Sequence, residues 1–294
     1  MFEGVIPALI TPFEDGRIDR VSLKRLIDHQ IEGGVHAIVP CGTTGESATL
    51  THDEHKELIT LCLEYVDGRV PVIAGTGSNS TSESIALTHF AKVAGVAGAL
   101  LITPYYNKPT QEGLYQHYKA VAEAVDIPIV LYNVPGRTSV DMVPSTVTRL
   151  AKIPNIVAIK EATADLERAS VIRDECGDAL TLISGDDATF LPFLSIGGRG
   201  AISVTANLVP DKVVAIWNHW QAGETQEALA IHQQLLTLNR LLFCQTSPIP
   251  VKAAAAMMGL CRAELRLPLT PLDEPFGTPL QAALKQLGVV ADGS

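Results

Sequence analysis

Short apolar runs rich in β-branched residues recur along this chain, each followed by a polar or glycine-bearing loop and then by a stretch with helical spacing. GVIPALI (4–10), HAIVP (36–40), VPVIAG (70–75) and GALLIT (98–103) open the series. IPIVLY (127–132), NIVAIK (155–160), ALTLIS (179–184) and GAISV (200–204) continue it. A continuous apolar run of this length suits a strand buried on both faces of a parallel sheet. The intervening segments, such as SLKRLIDHQIEGG and SESIALTHFAKVAG, place apolar residues on one helical face and end in glycine. Eight such units predict an α/β fold, a (β/α)8 TIM barrel closing near residue 220. A doubly wound open sheet is the rival; eight similar units, with no G-x-G-x-x-G after the first run, favour the barrel. Beyond about residue 224 the strand signal stops. ETQEALAIHQQLLTLNRLLF, PVKAAAAMMG and TPLQAALKQLG predict a helical C-terminal appendage, which divides the chain into a barrel over 1–223 and a helical domain over 224–294.

Composition narrows the class of protein. Of 294 residues, 47% are hydrophobic and 18% charged, enough for a large core. No apolar run approaches the roughly 18 residues that a spanning helix needs. MFEGVIPALITPFEDG has no basic region ahead of its apolar part, so neither a signal nor a transit peptide is predicted, and a cytoplasmic location is expected. A net charge of −10 argues against a nucleic-acid footprint but leaves room for small anionic substrates beside local cations. The five cysteines form no C-x-x-C pair and read as reduced thiols. Cys41 adjoins a glycine-bearing loop, where it is either a nucleophile or a small buried thiol.

In a barrel of this type chemistry gathers at the carboxyl ends of the strands. The second run is followed by CGTTGES with Thr43 and Thr44, the third by GTGSNS, and the fourth by TPYYNKP with Tyr105 and Tyr106. The fifth ends in Tyr132, before NVPGRT with Arg137; the sixth ends in Lys160, before Glu161 and Thr163; the seventh precedes SGDD. The opposite ends carry ordinary turn chemistry: DGRV, AVDIP, KIPN and GGRG.

Lys160 is the unusual residue, an ammonium group closing a buried run. Burial disfavours the charged form of an amine, and a neutral amine attacks carbonyls and forms Schiff bases. The alternative is a lysine that snorkels or pairs with Glu161, although neighbours on a strand face opposite sides. The acidic SGDD loop offers no phosphate cradle, which disfavours a phosphorylated ketose or pyridoxal phosphate. GTTG offers backbone N–H groups and two hydroxyls suited to a carboxylate. A small keto acid such as pyruvate fits both features. The tyrosines are either packing residues or, with Thr44, a proton relay. Arg137 is either a surface residue or a fork for a second carboxylate. None of the eight histidines lies at the carboxyl end of a predicted strand, and HDEH at 52–55 is not H-E-x-x-H, so no metal is expected.

CGTTGESATL, TPYYNKPTQEGLYQHY, LYNVPGRT, IKEAT, SGDD and SPIPVK together resemble the dihydrodipicolinate synthase family, within the pyruvate-dependent lyase superfamily of N-acetylneuraminate lyase. The resemblance runs from GVIPALITPF to LRLPLTP and departs at Ser247, where asparagine is more frequent. It implies condensation of pyruvate with L-aspartate 4-semialdehyde through a lysine Schiff base, giving 4-hydroxy-tetrahydrodipicolinate at the first committed step of diaminopimelate and lysine synthesis. No cofactor beyond the covalent imine is implied. Lys160 would form the imine and Tyr132 would shuttle protons. Thr44 and Tyr106 would complete a relay, with Tyr106 arriving from a neighbouring subunit. Thr43 and Thr44 would hold the pyruvate carboxylate, Arg137 the carboxylate of the second substrate, and Gly185 and Ile202 would contribute backbone groups. The family resemblance also implies a homotetramer of two tight dimers and an L-lysine effector pocket at Ser47, Ala48, His52, His55, Asn79, Glu83 and Tyr105. The alternative is a class I keto-acid aldolase or dehydratase acting on a sugar acid; the arginine in GRT favours a short second substrate.

Overall fold

A computed structural model describes residues 2–291. Among them, seven parallel strands form one sheet in the order β1-β9-β8-β7-β6-β5-β4. The strands are β1 (Gly4–Pro7), β4 (Ile73–Gly75), β5 (Gly98–Ile102), β6 (Ile129–Asn133), β7 (Ile156–Glu161), β8 (Thr181–Ser184) and β9 (Gly200–Ser203). The short pair β2 (Phe13–Glu14) and β3 (Arg17–Ile18) is antiparallel and separate. The first strand therefore lies beside the last, as barrel topology requires and an open doubly wound sheet does not. Helices alternate with the strands, and the fold is the (β/α)8 TIM barrel with C-terminal helices.

The residues fall into two compact units, one of residues up to 4 with 71–202 and one of 5–70 with residues from 203 onward. In the first unit β4 to β8 pair in sequence order, and their side chains are almost all buried. Gly200 sits at φ +152°, and a Cβ there would lie 2.2 Å from the Gly4 carbonyl oxygen, so only glycine lets these backbones approach.

In the second unit the 36–40 run supplies the remaining pairing. His36 N–H donates to the Val5 carbonyl (2.9 Å), Val39 N–H to the Pro7 carbonyl (3.0 Å), and Leu9 N–H to the Val39 carbonyl (2.9 Å). Val39 of this run forms an isolated parallel bridge with Ala8, and the run is not an extended strand. The predicted first strand, 4–10, ends at Pro7. The C-terminal part is helical: Pro210–Gln221, Thr225–Leu241, Ile249–Met257 and Glu274–Gln286. The last begins four residues before the predicted TPLQAALKQLG. Among the described residues no helix is long and apolar enough to cross a membrane.

Candidate active site

Strand alternation decides which groups share a face in the first unit. Tyr132 on β6 lies in register with Lys160 on β7, and the next pair is Asn133 with Glu161. Successive side chains point to opposite faces, so Tyr132 and Lys160 share one face while Asn133 and Glu161 share the other. Lys160 is 6% exposed, and its Nζ lies 4.2 Å from the Tyr132 ring centroid. Gly185 follows β8 directly and donates its N–H to the Glu161 carbonyl (2.7 Å). A Cβ at Gly185 would come within 2.5 Å of the Ala162 Cβ and 3.0 Å of the Lys160 Cε. Glycine here leaves space for the lysine stem. Ile202, on β9, is buried.

Behind this pair lies a network of charge that inspection of the sequence missed. Arg168 Nε donates to Glu161 Oε2 (2.9 Å), and Glu161 Oε1 accepts from the Thr163 N–H (3.1 Å). Asn133 Nδ2 donates to Asp141 Oδ1 (2.9 Å) and lies 3.3 Å from both Glu161 oxygens, while its Oδ1 accepts from the Met142 N–H (3.0 Å). Arg168 also bonds Asp141 and the Met142 carbonyl. Glu161 is thus committed to Arg168, consistent with alternation along the strand. The available signal was the period of two: residues after Tyr132 and Lys160 had to face away from them.

Arg137 lies on the helical turn Pro135–Thr138 and is exposed. Buried Thr138 fixes that turn, its Oγ1 donating to the Val140 carbonyl (2.9 Å). Tyr106, in the loop after β5, has φ +72° and is 89% exposed on this chain; Tyr105 beside it is exposed as well. Asn107 of the same loop donates its Nδ2 to the Asn79 carbonyl (2.8 Å), which joins two segments of the expected effector pocket. Glu83 accepts from the Ser78 hydroxyl.

In the second unit Thr43 and Thr44 are the central residues of a tight turn. Gly45 N–H donates to the Gly42 carbonyl and Glu46 N–H to the Thr43 carbonyl, both at 3.1 Å. Thr11 Oγ1 donates to the Gly45 carbonyl (2.6 Å). Thr44 is buried and Thr43 half-buried. Ser47 and Ala48 begin a short 3-10 turn, Ser47–Thr49. Thr51 caps the helix His52–Val66 through a reciprocal capping box with Glu54. His52, the first helical residue, is exposed; His55, one turn later, is buried. Cys41 is 3% exposed, and burial pushes its thiol well above the usual range, which removes it as a nucleophile and leaves the buried-thiol reading.

The sequence matches the dihydrodipicolinate synthetase family over residues 1–287. It is 58% identical over 292 residues to the 4-hydroxy-tetrahydrodipicolinate synthase of Magnetococcus marinus, spanning 99% of this chain and all of that one. Among solved structures, the chloride-inhibited dihydrodipicolinate synthase of Acinetobacter baumannii complexed with pyruvate has a TM-score of 0.97 at 48% identity, over 99% of this chain and all of that one. The enzyme from Cyanidioschyzon merolae with lysine bound has a TM-score of 0.95 at 41% identity, over 98% of this chain and 99% of that one. With near-complete coverage and more than half of its residues shared with a relative, the chain belongs to the dihydrodipicolinate synthetase family.

Proposed function

We propose that this chain condenses pyruvate with L-aspartate 4-semialdehyde to give 4-hydroxy-tetrahydrodipicolinate, at the entry to diaminopimelate and lysine synthesis. The observation that carries the reading is the buried Lys160 amine against the Tyr132 ring, with Gly185 keeping its stem unobstructed. The relatives' shared activity supports it.

Lys160 Nζ adds to the ketone carbon of pyruvate, and loss of water leaves the imine. The imine draws electrons from the neighbouring methyl group, whose lost proton leaves an enamine that attacks the aldehyde of the second substrate. Tyr132 carries protons to and from the reacting carbons, with Thr44 and Tyr106 linking it to solvent. Thr43 and Thr44 hold the pyruvate carboxylate, and Gly185 and Ile202 supply backbone groups. Arg137 receives the carboxylate of the aspartate semialdehyde, which argues for a short second substrate over a sugar acid. The imine is the only covalent group this chemistry requires.

The working assembly in this reading is a homotetramer of two tight dimers in the cytoplasm, with a barrel over 1–223 and a helical domain over 224–294. The exposure of Tyr106 supports a role completed by a neighbouring subunit. L-Lysine acts as effector at Ser47, Ala48, His52, His55, Asn79, Glu83 and Tyr105. The lysine-bound Cyanidioschyzon relative supports this, and Glu83 suits an ammonium group.

Borohydride added with pyruvate should inactivate the protein and leave a pyruvate-derived mass on the peptide that contains Lys160. The mass on another peptide, or trapping that survives in Lys160→Ala, would refute the mechanism.

A further inference from the structure

Glu46 stands two residues beyond Thr44 and takes no part in imine chemistry, yet it forms the most deeply buried ion pair among the described residues. Lys252 Nζ lies 2.6 Å from Glu46 Oε1, with side-chain exposures of 0% and 1%. The ammonium also donates to the Glu264 carbonyl (2.6 Å) and sits 4.2 Å from the Phe13 ring centroid. The second oxygen, Glu46 Oε2, accepts from the Arg266 N–H (3.0 Å). Arg266 covers the same Phe13 ring at 4.3 Å and bonds Glu54 and the Thr49 carbonyl (2.9 Å).

Stability alone is a poor reason for such a pair. Desolvating two charges is costly, and apolar residues of similar volume often serve a core as well or better. What a buried pair does supply is a unique geometry, because each charge tolerates few positions once water is excluded. Burial pulls the Lys252 ammonium below the usual lysine range, and Glu46 opposes that pull. The Glu46 backbone shows the same constraint. Its φ of +56° is left-handed, a region a non-glycine residue keeps only where its surroundings over-determine it. That backbone closes the turn of Thr43 and Thr44 through the Glu46 N–H, while its carbonyl accepts from the Thr49 N–H (3.0 Å).

We propose that Glu46 and Lys252 are positioning residues for the substrate carboxylate: the buried pair fixes the 42–47 turn in the conformation in which Thr43 and Thr44 receive pyruvate. The proposal rests on the pyruvate-lyase reading and adds to it a role for the helix Ile249–Met257, which contributes no group to the chemistry. A displacement of about 1 Å in such a turn is enough to weaken catalysis substantially.

The test uses the full-length protein and two readouts. In Glu46→Gln the amide has a single acceptor oxygen, so one of its two contacts becomes donor against donor. Lys252→Met removes the ammonium at similar length. Each variant should raise the pyruvate concentration for half-maximal borohydride trapping by about tenfold, the scale of one charge-assisted contact. KM for aspartate semialdehyde should change less than about twofold. The double variant Glu46→Gln/Lys252→Met leaves no unpaired charge, so its urea midpoint should return toward wild type while the pyruvate half-saturation stays raised.

Recovery of both in the double variant would mean that the pair serves folding only and would overturn the proposal. So would a folded Glu46→Gln with wild-type pyruvate dependence; because it conserves volume, this variant decides the matter if Lys252→Met does not fold. Absence of trapping in the wild type would refute the pyruvate reading itself and the proposal with it. Normal wild-type trapping with unaltered variants refutes only the role of the pair.

Discussion

The turn of Thr43 and Thr44 and the strand ends of Tyr132 and Lys160 are both fixed by a buried carboxylate, but the partners come from opposite distances along the chain. Glu161 pairs with Arg168, seven residues away, and with Asn133, 28 away. Glu46 pairs with Lys252, 206 residues away, and accepts from Arg266, 220 away. The first network belongs to neighbouring strands and the helix that follows one of them. It forms whenever those strands pair, and Arg168 remains partly hydrated through Asp141, which is 44% exposed. The second exists only once the C-terminal helices have folded, and both of its charges are dry. Local scaffolding can set a strand end; a loop with no ladder of its own needs an anchor from elsewhere in the sequence.

The largest expected effect tests that contrast through stability. Lys252→Met strands the Glu46 carboxylate without solvent and should cost about 3–5 kcal/mol in urea denaturation. Arg168→Met should cost less, because Glu161 keeps the Asn133 amide and the Thr163 N–H. Equal losses would erase the distinction between the two networks. Next, Gly185→Ala places a methyl group against Ala162 and the Lys160 stem. It should lower kcat about 100-fold with little change in circular dichroism, the price of roughly 1 Å of misplacement. Wild-type turnover would show that the strand end is softer than its register implies.

Arg137→Ala should lower kcat/KM for aspartate semialdehyde about tenfold or more, the loss of 1.5–3 kcal/mol for one charge-assisted contact. Trapping with pyruvate alone should be unaltered, and an equal loss in trapping would assign Arg137 to the whole site.

The smallest effect is acid titration of the anchor's rim. Hydrogen bonds from Arg266 hold the Glu54 carboxyl at about 2 against an ordinary 4.5, although burial opposes the shift. A depressed folded value stabilises the fold above the unfolded value and loses that contribution as pH falls toward the folded one. The stability difference between wild type and Glu54→Gln should therefore be constant above pH 4.5 and shrink between 4.5 and about 2. Its size is about 0.5–1 kcal/mol, because both partners keep some contact with solvent. A difference that grows on acidification would contradict the assignment.

The barrel was legible because buried parallel strands write themselves as apolar runs, and seven of them lie within about three residues of their predicted bounds. The 36–40 run pairs through single bridges, a distinction carried by backbone geometry and not by residue type. The β2–β3 hairpin went unseen because two-residue strands have no period to detect. Lys160 and Tyr132 stood out because polar groups are unexpected at the ends of such runs. Glu46, Lys252, Asn133 and Arg168 did not, because a buried charge is recognisable only when its partner is known, and these partners lie 7 to 220 residues away.

The separation of Glu46 from Lys252 also has a consequence during synthesis. At roughly 5–20 residues per second, the 206 residues between them take about 10–40 s to translate. Through that interval the nascent chain carries the carboxylate without its ammonium, so the turn of Thr43 and Thr44 lacks its anchor while the strands are already emerging. A ribosome that stalls before residue 252 leaves every strand of the sheet translated and Glu46 still without its ammonium partner. The anchor of this turn arrives with the last helices, late and all at once.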